Sequence, residues 1–365
     1  MKNFLIASSA LVVCASAHAQ APAIDGTAEA VYGAPAGIQA VTTGFGNSTD
    51  GLRGTCNGSE IDAIYGKVDA AGGYLYLVIA GNLQSNFNKL EVFIDAKPGG
   101  QNALRSDNPD VDFNGLNRMG PDAVNALPGL KFDAGFEPDL YFTCTGGNAP
   151  YTLYANFAQL LTAGGGVGAY IGSSVTDATS GNILINDTTY GLQVAMNNSN
   201  VAGVDGTGGA SSSGAGVTTG VEVRIPLTSV LGWDGTSPIK VCAFVNGGGH
   251  DYASNQFIGA LPAGQGNLGG DGTGGYVGGS TAAIRFDLAS FAGDQFVVIG
   301  GGTPPPPVCP ADLDGDHVVG GSDLGAMLGA WGACSGACPA DLDHDGIVGG
   351  SDLGAMLGAW GACPN

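Results

Sequence analysis

The aspartates near the C-terminus stand at intervals that a hard cation could use. Asp312, Asp314, Asp316 and Asp323 occupy positions 1, 3, 5 and 12 of one loop, and Asp341, Asp343, Asp345 and Asp352 the same positions of a second. Calcium takes about six to eight oxygens. A D-x-D-x-D run turns alternate side chains toward one centre, position 7 adds a backbone carbonyl (Val318, Ile347), and the acid at position 12 closes the shell. Position 6 needs a sharp turn, which glycine makes at little cost. Gly346 supplies it in the second loop, whereas His317 stands there in the first, so the second loop is expected to bind more tightly. Residues 309–365 contain no Lys or Arg. Without a cation these acids would repel one another and oppose folding, so two Ca2+ ions are expected here.

The elements that must hold the two loops are duplicated with them. Residues 309–334 recur as 338–363, differing only at Gly315/His344, His317/Gly346 and Val318/Ile347. After each loop, Leu324, Met327, Leu328 and Trp331, and again Leu353, Met356, Leu357 and Trp360, fall on one helical face. These stripes are expected to form a core between two short helices. Glycines inside such helices cost roughly 1 kcal/mol each relative to alanine, so the helices need the metal and cross-links. Repeat symmetry favours Cys309–Cys334 and Cys338–Cys363 as disulfides, each worth ~3.5 kcal/mol through loop closure. A clasp of Cys309 to Cys363 with Cys334 to Cys338 is the rival connectivity.

The duplicated loop-plus-helix unit, with Asp rather than Glu at position 12, resembles a type I dockerin over residues 309–365. The resemblance implies a small all-α calcium-binding module that plugs its carrier into a cohesin-like or cell-surface protein. It implies that positions 10 and 11, Gly321-Ser322 and Gly350-Ser351, contact the partner. Their identity in the two copies would allow docking in two orientations. Gly320 and Gly349 depart from the Asn or Asp usual at position 9, and the bracketing cysteines are a second departure.

The chain opens with Lys2, an apolar run from Phe4 to Ala15 and Ala17-His18-Ala19, the pattern of a secretory signal over residues 1–19. Cysteines beyond it are then expected in an oxidising compartment, with Cys56–Cys144 a candidate disulfide and Cys242 a buried thiol. No later apolar run is long enough to span a membrane. A net charge of −21 argues against nucleic acid and anionic membrane surfaces as partners. Residues 301–308 are a Gly/Pro linker.

Residues 20–300 carry strand signals: Tyr74–Ile79, Lys89–Ile94, Leu140–Thr143, Gly191–Ala195, Val221–Ile225, Lys240–Val245 and Ala283–Phe286, separated by Gly, Asn, Asp and Pro. They predict a mainly β fold, a large antiparallel β-sandwich of jelly-roll type. The Gly/Ser-rich stretches 203–220 and 263–280 read as loops within it. Ile24-Asp25-Gly26, the strands beginning at Gly73 and Leu90, and Gly220-Val-Glu-Val-Arg-Ile-Pro226 resemble the landmarks of family-9 carbohydrate-binding modules and related DOMON-like sandwiches. The resemblance implies a polysaccharide ligand. Such modules grip sugar with a tryptophan pair, and this body has Trp233 alone.

Flat rings near turns could stack on a sugar, and Trp233, Tyr151, Tyr154 and Tyr252 are the candidates, with Tyr170 beside them. Asp110, Asp112 and Asn114 begin a third loop that could take a calcium ion or be a plain Asx-rich turn. Glycosidases need two carboxylates across one bond. Glu60, Asp62, Glu91, Asp95, Glu137, Asp139 and Glu222 exist, but no catalytic pair is assignable, and Glu91 and Glu222 read as solvent-facing. The leading reading is a secreted, non-catalytic carbohydrate- or surface-binding protein with a calcium-dependent docking tail. A dockerin-borne polysaccharide hydrolase and a structural cell-surface or matrix protein are the alternatives.

Overall fold

The computed structural model describes residues 21–175, 184–204, 213–259, 261, 265–278, 282–299, 311, 313, 318–334, 338–342 and 346–362. The expected signal, the linker, Cys309, Cys363 and the loop acids Asp312, Asp314, Asp316, Asp343 and Asp345 lie outside them.

The described body is mainly β. One sheet contains β1 (Gly37–Ile38), β2 (Glu60–Asp69), β3 (Tyr74–Asn82), β8 (Ile185–Asn186), β9 (Gln193–Met196) and β10 (Gly220–Pro226), in the order β1-β2-β3-β10-β9-β8. The other contains β4 (Lys89–Asp95), β5 (Leu140–Gly147), β6 (Thr152–Gln159), β7 (Gly168–Val175), β11 (Ile239–Asn246) and β12 (Ala253–Phe257), in the order β12-β11-β4-β5-β6-β7, with β13 (Val297–Ile299) also on β11. Every ladder between these strands is antiparallel.

Period-two alternation sets the layers. Leu90, Val92 and Ile94 of β4 join Leu75, Leu77 and Ile79 of β3 and Val221, Val223 and Ile225 of β10 in one apolar cluster shared by the two sheets. The alternate residues of the second sheet, Phe93, Tyr141, Ala158, Cys242 and Phe244, face the other way into a separate cluster. That cluster is completed by the long excursion between β4 and β5, through Leu104, Leu116, Met119, Leu130 and Phe132. The second sheet is therefore covered on both faces, which is why β4 is buried along its whole length.

Two sequence expectations fail here. Ala283–Phe286 forms no strand: Ile284 N donates to His250 O and Arg285 N to Gly270 O, so the segment binds two separate turns instead of one ladder. Glu91 and Glu222 do not face solvent; both are fully buried. Glu222 accepts from Asp25 N and Gly26 N (both 2.8 Å) and from the Tyr32 hydroxyl, and so pins the N-terminal segment across the first sheet.

The expected Cys56–Cys144 bridge is also absent, since both are free thiols. Cys144 lies in the apolar cluster between the sheets, while Cys56 Sγ donates to Gly58 O at 3.1 Å. Among the described residues no helix is long and apolar enough to cross a membrane.

The tail is not all-α. The helices α2 (Gly321–Gly329) and α3 (Gly350–Gly358) are accompanied by four two-residue strands, β14 (Val318–Val319), β15 (Gly332–Ala333), β16 (Ile347–Val348) and β17 (Gly361–Ala362); the body's own helical turn α1 is Gly115–Arg118. β14 pairs with β17 and β15 with β16, so each loop is tied to the segment that follows the other repeat's helix. Cys334 is joined to Cys338, with 5.8 Å between their Cα atoms. This corrects the symmetric pairs Cys309–Cys334 and Cys338–Cys363, because the linkage closes the junction between the repeats. The helix stripes are only partly core. Met327 and Met356 are fully buried with Val319, Val348, Ala311 and Ala340, whereas Leu328, Trp331, Leu357 and Trp360 are about half exposed.

Burial pushes the Glu222 carboxyl up to about 7 and outweighs the bonds it accepts. Between the ordinary carboxylate range and that value, the folded chain holds a proton the unfolded chain has released. Stability therefore falls as pH rises through this window. Gln at 222 could keep an oxygen on the two backbone N–H groups and turn its amide to Tyr32. The thermal midpoint is expected to fall from about pH 5 to about pH 7.5 in the parent chain, and Glu222→Gln should flatten part of that slope. Asp62, also pushed up to about 7 by burial, keeps the rest. Equal slopes in the two chains would contradict this assignment.

Candidate functional site

Two adjacent cross-strand rows on the outer face of the second sheet build a floor. Pairing aligns Asn246, Lys89, Thr145 and Tyr154 in one row, and Phe244, Glu91, Thr143, Asn156 and Tyr170 in the next. Where the β4–β5 excursion stops covering this floor, a cavity of about 830 Å³ opens. Lys89, Thr145, Tyr154, Asn156 and Tyr170 line it from the sheet, Asp110 to Phe113 from the excursion, and Phe87, Asn148 and Gly248 from turns. Phe87, Phe113 and Tyr170 are exposed, Phe113 at 95%. Rings on several sides and amides between them suit a flat ligand with apolar faces and polar edges.

Beneath the cleft lies a closed set of charges. Lys89 Nζ is 2.8 Å from Asp112 Oδ2 and donates to Thr145 Oγ1 at 3.1 Å. His250 places Nδ1 2.7 Å from Glu91 Oε1 and Nε2 3.0 Å from Asp112 Oδ2. Tyr141 donates its hydroxyl to Glu91 at 2.6 Å and Asn246 Nδ2 donates to the same carboxylate at 3.2 Å. Burial works against the charge on His250, but Glu91 and Asp112 outweigh it and raise the imidazole above its ordinary value. Burial likewise opposes ionisation of Asp112, yet His250 and Lys89 bring it down to about 2. Two cations and two anions thus neutralise one another out of water.

Backbone strain gathers around this set. Asp112, Phe113 and Asn114 are three consecutive residues at positive φ (49°, 54° and 60°), and Phe87, Asn148 and His250 are left-handed too. Side chains other than glycine's adopt this region at a cost of roughly 1–2 kcal/mol each. The turn survives because Asp112 is fastened from below by Lys89 and His250, and it lifts Phe113 to the cleft's lip.

Of the ring candidates read from sequence, only Tyr154 and Tyr170 reach the cleft. Tyr151 is buried and donates to Leu83 O at 2.8 Å. Trp233 packs partly against the inter-sheet cluster and donates Nε1 to Ser237 O at 2.8 Å. Tyr252 lies between the tilted rings of Phe45 and Tyr276. Phe87, Phe113, Lys89 and His250 were not foreseen; their only sequence signals were the Asp-rich turn and the Gly247-Gly-Gly-His250 run.

Most of the carboxylates that a hydrolase could use are held in ion pairs or hydrogen bonds. Asp95 pairs with Lys240 (3.1 Å) and Asp139 with Lys97 (3.3 Å). Asp62 accepts from Val204 N and Asn200 Nδ2 at 2.9 Å, and Glu60 accepts from Ser48 N at 3.2 Å. Glu137 is exposed beside Asp95 in a smaller cleft. Asp112 serves Lys89 and His250, while Asn114 accepts from Asn117 at 2.7 Å.

In the tail, the described ends of both loops fold inward. Asp323 is fully buried and accepts from Leu313 N and Gly320 N, both at 2.7 Å. Asp352 repeats this with Leu342 N and Gly349 N. Each thus also caps the helix it begins, a bond within the first turn. Asp341 accepts from Gly346 N at 2.9 Å, and Gly346 has φ +88°, the sharp turn position 6 requires. This donor set of buried, inward-turned carboxylates fits a hard cation. Cys334, Cys338 and Asp341 lie within 4.8 Å of one another, but sulfurs joined in a disulfide supply no thiolates to a metal. Gly321, Ser322, Gly350 and Ser351 are all exposed.

Comparison of the chain with protein-family models, with curated proteins and with solved structures gave no match.

A methyl group on Gly115 would stand 2.0 Å from His250 Nε2. Gly115→Ala should therefore expel the imidazole and destabilise the body by about 1–3 kcal/mol, read as a lower midpoint in urea unfolding. An unchanged midpoint would mean His250 is not locked as described.

Proposed function

We propose that the protein is a secreted glycan-binding protein whose body holds polysaccharide in the aromatic cleft and whose tail docks it to another protein in a calcium-dependent manner. The observation that carries the first half is the cleft itself, with Phe87, Phe113, Tyr154 and Tyr170 around Asn148 and Asn156. Sugar rings stack their C–H faces on such side chains and bond amides at their edges. The engagement of every candidate carboxylate but the exposed Glu137 in ion pairs or hydrogen bonds favours binding over hydrolysis. The two-sheet body accords with a jelly-roll-like sandwich of the carbohydrate-binding kind.

The second half rests on the tail. Among the described residues its fully buried core is two methionines, two valines and two alanines, too little apolar surface to hold a module without a metal or a cross-link. Asp312, Asp314, Asp316 and Asp323, with the Val318 carbonyl, would hold one calcium ion. Asp341, Asp343, Asp345 and Asp352, with the Ile347 carbonyl, would hold the other. The half-exposed Leu328/Trp331 and Leu357/Trp360 edges, next to the exposed Gly-Ser pairs, offer two like surfaces to a partner of dockerin-receptor type.

Two measurements test this. In affinity electrophoresis of the full chain through polysaccharide gels, Phe113→Ala and Tyr170→Ala should each weaken retention ~10-fold or more without lowering the thermal midpoint. Retention that survives both would remove the cleft from the reading. In calcium titration of the chelator-treated chain, two sites are expected, the tighter abolished by Asp352→Ala and the weaker by Asp323→Ala. No heat of binding in the parent chain would refute the loops.

A further inference from the structure

The cleft has a definite charge, and it constrains the ligand beyond the class just proposed. Among its lining residues the charged groups are Lys89, Asp110 and Asp112. Lys89 is the one cation, and its ammonium is turned onto Asp112, with side-chain exposures of 6% and 5%. It also donates to Thr145. Asp112 in turn faces the imidazole of His250, which is raised in pKa and shared with Glu91. The four groups close on themselves and leave no cationic donor directed at the cavity. Asp110 is exposed on its rim and makes no ion pair among the described residues. A carboxylated ligand would meet this negative rim without a guanidinium or free ammonium to receive it. An uncharged ligand would meet rings, Asn148 and Asn156, and lose nothing.

Resting on the glycan reading of this same site, the geometry points to a cleft that selects uncharged polysaccharide and rejects polyuronate. Asp110 is the specificity-determining residue, and Asp112 acts with it by holding Lys89 away from the ligand. The whole chain also carries −21, which repels polyanions at long range. That part fades when salt shortens the screening length to a few ångströms, whereas contact repulsion at the rim persists.

The test is affinity electrophoresis of the full chain at about 0.5 M NaCl. One set of gels contains xylan, mannan, starch or a mixed-linkage β-glucan, and the other polygalacturonate or alginate. The parent chain should be retained by at least one uncharged polymer and bind the polyuronates at least ~10-fold more weakly. Asp110→Lys, a surface change that leaves the buried charges intact, should narrow that ratio by raising polyuronate retention while uncharged retention persists. Asp112→Asn, which releases Lys89, should act in the same direction; its thermal midpoint is measured alongside, and Asp110→Lys alone decides if that variant unfolds. Polyuronate retention equal to or above that of the uncharged polymers, or no change in ratio for Asp110→Lys, overturns the selectivity and leaves the glycan reading standing. Retention by no polymer of either set overturns the glycan reading and the selectivity together.

Discussion

The buried ion set of Lys89, Asp112, His250 and Glu91 is the constraint on which the body's upper layer depends. The excursion between β4 and β5 has only the four-residue α1 as helix and no strand, so scattered backbone bonds, such as Lys131 N to Phe286 O and Gly165 N to Asp107 O, and its side chains place it. Its apolar residues supply attraction without direction. Asp112 supplies direction: it can satisfy its charge only where Lys89 from β4 and His250 from the turn after β11 converge. Replacing such a buried set with apolar residues often costs no stability, so its value here is in position. It fixes three consecutive left-handed residues that no local preference would choose, and with them the lip of the cleft.

The tail obeys an electrostatic constraint of another kind. Each position-12 aspartate is both a helix cap and an inward-facing carboxylate. The exchange of short ladders, loop of one repeat to exit of the other, couples the two loops mechanically. Neither repeat can open without breaking the other's pairing. The Cys334–Cys338 linkage tightens the junction between them, where the symmetric pairing would have stapled each repeat to itself.

How much of this the residues announced depends on range. Period-two patterns along β3, β4, β10 and β11 named those strands, and the 29-residue recurrence named the tail's loops and helices. β6 and β7 are less legible because their apolar positions are few and mixed with Asn, Gly, Ser and Tyr, and three of their residues, Tyr154, Asn156 and Tyr170, line the cleft. Ala283–Phe286 carried a strand's pattern but found two turns instead of a ladder. Glu91 and Glu222 sat at outward positions, which in a sheet open on one face would meet solvent. Each is buried by a covering segment distant in sequence, residues 96–139 in one case and the N-terminal segment in the other. Tyr151 and Trp233 have the turn neighbours of sugar platforms, but the Tyr151 hydroxyl and the Trp233 indole N–H are committed to backbone carbonyls.

The chain's use of its few cations joins these points. Of eleven Lys and Arg residues, Lys89, Lys97, Lys131, Lys240 and Arg105 are each in an ion pair with an aspartate. Lys89–Asp112 ties β4 to the covering excursion, Lys97–Asp139 joins the two ends of that excursion, and Lys240–Asp95 joins the neighbouring strands β11 and β4. Lys89, the one cation lining the cleft, is spent on Asp112, so the cleft offers rings and amides rather than a positive charge, and these sit where the covering layer ends on the sheet.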